Sequence, residues 1–255
     1  LEKGLDLTRG GAHYNSTGVQ LMGFANVVDS LYSVKKAVFE DKLFTMADLA
    51  SWLSQDWQDA EDKRAYFLNR VPKYGNDNDD VDALGVRVMD HYCDVLSGYR
   101  NFRGGFFWPG VFSVGFHITM GAFTGATPDG RFAGDVLGNG ITPTTGNAVS
   151  GPTAIMNSVV KLPVTRATNG VNLNMRFQGK KIRTEHLAAL IQTYFRNGGT
   201  QVQFNMVDSE VLRDAQQHPE KHRDLFVRVS GYSAEFVGLS EIAQDEIISR
   251  TEFEI

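Results

Sequence analysis

The sequence predicts an α/β fold in which a helical block leads into strands that alternate with helices and pack in parallel. Three observations carry the expectation. Apolar residues recur at helical spacing as far as residue 97, and after Tyr99 glycine and aromatic residues become frequent. From residue 171 onward the order runs strand, helix, strand, helix, strand, the pattern of parallel strands joined by crossover helices.

Taken in order, residues 1–18 are glycine-rich and polar and read as irregular structure entering a helix. From Val19 to Glu40, Leu21, Phe24, Val28, Leu31 and Val34 keep helical spacing. Two further helices fall near 46–55 and 58–71, the second closed by Pro72. Asp80 is placed to cap a helix over 81–97, with Val81, Leu84, Val88, Tyr92 and Val95 on its inner face. Strand-like pieces follow near 105–108 and 111–120, and Pro152 suits the first turn of a helix ending at Lys161. "VNLNMRF" and "TQVQFNMV" alternate like strands. Between them Thr184 opens a helix whose stripe is Leu187, Leu190, Ile191, Tyr194 and Phe195, stopped by Gly198 and Gly199. Asp208 caps a helix bearing Val211, Leu212 and Ala215. "DLFVRVS" is a third strand, ending at Gly231, and Ser240 opens the last helix.

Composition narrows the function classes. With 255 residues, 42% hydrophobic and 22% charged, the chain has the make-up of an ordinary globular protein with ample core. A net charge of −5 and the lack of a basic run argue against nucleic acid or an anionic membrane as the main partner. No apolar stretch reaches membrane-spanning length. One cysteine, Cys93, leaves no internal disulfide and fits a reducing, cytoplasmic setting. The start at Leu1 rather than Met reads as a processed piece, a subunit or an excised region.

Polar motifs mostly dissolve when weighed. "GATPDGRF" has the two-glycine spacing of a phosphate loop, but Arg131 and Phe132 stand where Lys and Ser or Thr are required, so it reads as a Pro-Asp-Gly turn. "NDNDDVD" lacks the glycine and distal glutamate of a calcium loop and reads as a solvated helix start. His218 and His222 have ligand spacing, but Pro219 intervenes, which favours surface histidines. His13, His91, His117 and His186 have no partner visible in sequence, and Cys93 reads as a buried structural thiol. No metal set is expected.

What remains is "FVRVSGYSAEFVGL", where Gly231 interrupts a strand pattern. Alone it reads as a strand ending in a turn. The longer string "RVSGYSAEFVGLSEIAQDEIISRTEFE", however, resembles the signature of the glycyl radical enzymes, R-V-x-G-[YF], matched by Arg228, Val229, Gly231 and Tyr232. The resemblance continues through "VPKYGNDNDDVD", "TGATPDGRFAGDVLGNGITP", "GPTAIMNSVVKL" and "GGAHYNSTGVQLMGFANVVDSL", and covers nearly the whole chain.

Chemistry gives a reason for glycine there. A radical on Cα spreads into the flanking peptide groups, and without a Cβ the centre is free to flatten and to approach another group closely. Shielding by Phe226, Val227, Val229, Tyr232 and Phe236 would suit such a centre. The resemblance implies a protein-derived glycyl radical on Gly231, with Arg228, Ser230 and Tyr232 as loop neighbours and no metal or organic cofactor.

It further implies a helical block with barrel strands over 1–124 and a glycine radical domain over 125–255. Together these are the C-terminal half of a ten-stranded α/β barrel surrounded by helices. Family members pair the glycine with a cysteine in a G-C-x-E-like loop. Cys93, in "DHYCDVL", stands in the wrong context, so the thiyl cysteine is expected on a missing N-terminal segment or a companion chain. A radical-SAM activating enzyme, homodimerisation and a small-molecule substrate complete the expected partners.

Dehydratase-like members carry a tyrosine two positions after the Pro-Gly of "GGFFWPGVFSV"; here it is Phe112, preceded by Val111 and Trp108. As candidate substrate-lining residues these lean toward an apolar or aromatic substrate, as in arylacetate decarboxylation or addition to fumarate. They are equally at home in a barrel core. The loop in "RFQGKKIRTEHL" reads as shorter than in dehydratases. The alternatives are dehydratase-like or choline- or isethionate-lyase-like cleavage, and a non-catalytic glycyl radical repair module.

Overall fold

The computed structural model describes residues 3–178 and 182–253, so part of the loop within "RFQGKKIRTEHL" lies outside the described residues. The first departure from expectation is at the start of the chain. Residues 16–20 form strand β1 (Ser16–Gln20) rather than irregular structure and the beginning of a helix. It pairs with β2 (Phe106–Val111) from Ser16↔Phe106 to Gln20↔Gly110, a distant partner that local periodicity cannot reveal. Helix α1 (Phe24–Val34) begins only after Gly23, whose φ of +71° is the left-handed value glycine tolerates, and widens into a π turn over Lys35–Glu40.

Helices α2 (Met46–Ser54) and α3 (Glu61–Asn69) follow, α2 behind a reciprocal Thr45–Asp48 capping box. In α4 (Asp79–Ser97) the cap is Asn78, whose side chain accepts from the amides of Asp80 and Val81; Asp80 itself lies in the first turn. The buried face of α4 is Val81, Gly85, Met89 and Cys93, and Val95, expected inside, is exposed.

The strand expected at 111–120 ends at Val111. Val114 (φ +49°) and Gly115 (φ +93°) reverse the backbone into helix α5 (Phe116–Ala122). Helix α6 spans Pro152–Lys161, as read from sequence.

The run 171–177 divides into β3 (Gly170–Val171) and β4 (Asn174–Phe177), which enter different sheets. All four residues of β4 are buried, so its apparent alternation marks no solvent face. Helix α7 (Thr184–Arg196), strand β5 (Gln203–Asn205) and helix α8 (Ser209–Gln217) come next, although Phe195 of the α7 stripe is exposed. Last are β6 (Phe226–Arg228), β7 (Ser233–Glu235), α9 (Glu241–Ser249), capped by Ser240, and β8 (Glu252–Phe253).

Among the described residues two sheets are parallel, ordered β1-β2-β3 and β5-β4-β8. Parallel α/β packing therefore holds, but the third strand expected in it, β6, instead forms an antiparallel hairpin with β7. The apolar core is in two parts. The larger runs from Phe24 and Trp57 through Val111 to Phe177 and Tyr194. The smaller joins Leu212 and Ala215 of α8, Val227, Val229 and Phe236 around the hairpin, and Ile247 and Ile248 of α9. Among the described residues no helix is long and apolar enough to cross a membrane.

Candidate functional site

The hairpin presents Gly231 at its tip. Its register runs Phe226↔Glu235, Val227↔Ala234 and Arg228↔Ser233, and the Val229 amide donates to Tyr232 O at 2.9 Å. The reversal needs a positive φ at Gly231, +84°. A Cβ built there would meet nothing within 4 Å, so backbone angle, not space within this chain, favours glycine.

The expected shielding is only partial. Val227, Val229 and Phe236 are buried in the small core, whereas Gly231, Phe226 and Tyr232 are exposed. Strand alternation is the cause: the side of the hairpin that carries the two valines faces inward, and Phe226 lies on the other.

Behind the tip the turn is held by polar groups. Ser230, 2% exposed, donates its hydroxyl to Asn139 Oδ1 at 2.8 Å and accepts from Asn172 Nδ2 at 2.9 Å. Its oxygen also lies 3.2 Å from that of Ser113, which contacts His117 Nδ1 at 2.9 Å. Ser113 and Asn172 sit just beyond the C-terminal ends of β2 and β3, so the parallel sheet aims both at the turn. Asn139 Nδ2 donates to Val229 O at 3.3 Å. From the other sheet, Gln203 Oε1 accepts from the Gly231 amide at 3.2 Å and from Arg228 Nη2 at 3.0 Å, while Gln203 Nε2 donates to Asn174 Oδ1. Asn205 exchanges two hydrogen bonds with the Arg228 backbone, each 2.7 Å.

A third support comes from α9. Arg250 donates to Arg228 O at 3.0 Å and Val229 O at 2.7 Å, and Glu246 holds the same guanidinium at 2.8 and 3.0 Å. His117 Nε2 faces Glu246 Oε1 at 3.6 Å, a contact longer than a hydrogen bond. Burial alone would raise the Glu246 carboxyl. The Arg250 charge, with His117 beside it, outweighs burial and holds it at about 2.

Of the residues singled out in the sequence, Gly231, Arg228, Ser230 and Tyr232 share this hairpin, and a Cβ on Gly115 would lie 3.9 Å from the Tyr232 hydroxyl. Phe112 adjoins Ser113 and so lies one residue from the contact with Ser230. Trp108 is 40% exposed and Phe112 half-buried, whereas Val111 is fully buried in the main core. Val111 therefore belongs to packing and not to an open face.

Sequence reasoning missed Ser113, Asn139, Asn172, Gln203, Asn205, Glu246 and Arg250, and left His117 without a partner. The available signal was amide side chains inside strand-like apolar runs: Asn172 and Asn174 in one, Gln203 and Asn205 in the other. Buried amides require partners.

The other motifs find plain structural roles. Asp77, Asp79 and Asp82 converge, but the Lys161 ammonium occupies their centre at 2.6, 2.7 and 2.8 Å. Asp82 is buried, so this helix start is less solvated than expected. Arg131 bonds the carbonyls of Thr124, Gly125 and Asp135, closing the Pro-Asp-Gly turn. His222 meets Asp214 at 2.6 Å and His218 lies 4.0 Å from the same carboxylate, at the surface. Cys93 is buried, and burial raises its thiol. A cavity of about 480 Å³ shares Asn139, Glu246 and Arg250 with the turn supports, but no residue of 226–235 lines it.

Comparison with known proteins adds to this geometry. The Pyruvate formate lyase-like family matches residues 1–121 and the Glycine radical family residues 137–237. The chain is 40% identical to the "Probable dehydratase YbiW" of Escherichia coli (strain K12), over 99% of this chain and 33% of that protein. It is 38% identical to the indoleacetate decarboxylase of Tractidigestivibacter scatoligenes, over 100% of this chain and 32% of that one. It superimposes on the glycerol-bound B12-independent glycerol dehydratase from Clostridium butyricum with a TM-score of 0.95 at 43% identity, covering 100% of this chain and 33% of that one. The chain thus spans about a third of the length of these relatives.

Proposed function

The chain belongs to the glycyl radical enzymes, and on that premise we propose that it keeps a radical on Gly231 and hands it to a cysteine on another segment or a companion chain. The observation that carries this reading is the Gly231 turn. It is a positive-φ glycine at a hairpin tip, open on its outer side and held from behind by Ser230, Gln203 and Arg250. Such a Cα has room to flatten, and its amide is fixed. A radical there would supply hydrogen-atom abstraction by way of the cysteine.

In this reading residues 1–124 are helical block and barrel strands and 125–255 the glycine radical domain, forming half of a ten-stranded barrel. The exposed faces of Gly231, Phe226, Tyr232 and Trp108 then meet the other half. Cys93, buried on α4, is taken in the same proposal as a packing residue, with the thiyl cysteine elsewhere. A radical-SAM activating enzyme, a homodimeric state, an anaerobic cytoplasmic setting and a small-molecule substrate belong to the same proposal, with no nucleic acid and no membrane as partner. The long match over residues 1–121 speaks against a repair module, which needs only the glycine end.

For the substrate, Trp108 and Phe112 favour an apolar or aromatic one, because a hydroxylated substrate would lose a hydrogen-bond partner where Phe112 stands. A second reading, dehydration of a hydroxylated substrate, draws on the similarity to a glycerol dehydratase.

The test uses the full-length enzyme. After anaerobic activation, exposure to air should break the chain at Gly231, and mass spectrometry should find the fragment that starts there missing from the main body. Full mass after air exposure would refute the assignment. Turnover of arylacetates against that of glycerol and 1,2-diols separates the two substrate readings.

A further inference from the structure

The supports of the turn come from two bodies. Ser113, Asn139, Asn172 and Gln203 belong to the sheets and loops built on the main core, and Glu246 and Arg250 to α9 and the residue after it, packed in the small core with the hairpin. Arg250 is placed to do more than pack. Its two terminal nitrogens take the consecutive carbonyls of Arg228 and Val229, and both carboxylate oxygens of Glu246 fix the plane of the same guanidinium. The backbone entering the Gly231 turn is therefore pinned in direction as well as position. Behind the pair stands His117 of α5, itself held by Ser113, which also touches Ser230.

The path closes on itself: Ser230 to Ser113, to His117, to Glu246, to Arg250, and back to Val229. All its members except Arg250 are less than a tenth exposed. Hydrogen bonds and ion pairs of this kind are strengthened where water is excluded.

We infer that His117, Glu246 and Arg250 are positioning residues that lock the Gly231 turn against the main body and so set where the Gly231 Cα points. The inference rests on the proposed role of Gly231, because only a reacting Cα needs its direction set. Its structural part stands apart from that role.

The experiment is hydrogen exchange on the unactivated full-length enzyme, which needs no radical. Arg250→Met keeps the length of the side chain and loses the fork. Peptides covering 226–235 should exchange at least tenfold faster, while peptides covering β2 and β4 stay as in the wild type. Arg250→Lys, which keeps charge without the fork, should fall between. After activation, turnover per radical should drop at least tenfold with KM within about twofold, since the lock touches the radical site and not the substrate. If Arg250→Met does not fold, His117→Asn leaves the Glu246–Arg250 pair intact and should show the same local rise in smaller degree. Unchanged exchange at 226–235, or a rise spread equally over β2 and β4, would overturn the inference. A radical found at another residue would defeat the function proposed above while leaving the exchange result to judge the lock.

Discussion

The Gly231 amide donates to Gln203 Oε1 at 3.2 Å, so the first residue of β5 reaches the tip of a hairpin lying 28 positions further along the chain. The same oxygen takes Arg228 Nη2, and the Gln203 amide nitrogen goes to Asn174 on the neighbouring strand. Gln203→Leu fills the space but strips all of these. Local opening of the hairpin should become easier by about 1–3 kcal/mol, the cost of leaving polar groups unpaired. Hydrogen exchange at 226–235 checks this, and exchange at the wild-type rate would show that Gln203 carries no such weight.

Cys93→Ser should leave turnover of the complete enzyme nearly intact, because the thiol is buried on α4 and burial raises it away from the reactive thiolate form. The hydroxyl would lack an evident partner, so a stability loss of about 1–2 kcal/mol is expected. Loss of all turnover with fold and radical retained would place the thiyl cysteine here after all.

How far the sequence could be read depended on the range of the interactions. Helices α6 and α9 were legible because Pro152 and Ser240 mark their starts locally. Strand β1 was not, since the strand it pairs with lies ninety positions away, from Ser16 to Phe106. Helix α5 was hidden by the two left-handed residues before it, Val114 and Gly115, where a β-branched residue at positive φ is held by surroundings that no propensity foretells. At the site, Gly231 and Ser230 stood out through their motif. His117, Glu246 and Arg250 did not, because 129 positions separate the histidine from the glutamate it faces.

Lys161 is the centre of three carboxylates, one of them buried. Lys161→Met should leave Asp77, Asp79 and Asp82 repelling one another and cost roughly 2 kcal/mol, below the value for a fully buried pair because the lysine is partly exposed. Chemical denaturation of the full-length protein checks the loss. An unchanged midpoint would mean the cluster is solvated enough to need no counter-charge.

Glu246 provides a pH signature. Its carboxyl is held at about 2 against an ordinary 4.5, so its contribution is present above the ordinary value and is lost as pH falls through the folded one. Glu246→Gln lacks that contribution at every pH. The variant should be less stable than the wild type near neutrality by up to roughly 3 kcal/mol, and the gap should shrink as pH falls below 4.5 and close only toward about 2. Thermal unfolding of the two proteins side by side measures it. A gap independent of pH would show that the charge at Glu246 is not what holds Arg250.

The most direct measurement is electron paramagnetic resonance of the full-length enzyme after anaerobic treatment with the radical-SAM activase proposed for it. The wild type should show a doublet, split by the remaining α-hydrogen of Gly231, and incorporation of α-deuterated glycine should collapse that splitting. Gly231→Ala should show no such signal and no turnover. Its added methyl meets no neighbour in this chain, but it sits on a backbone with φ of +84° and on a centre that must flatten. The same doublet in the alanine variant, or a wild-type splitting untouched by deuterated glycine, would place the radical elsewhere and contradict the account.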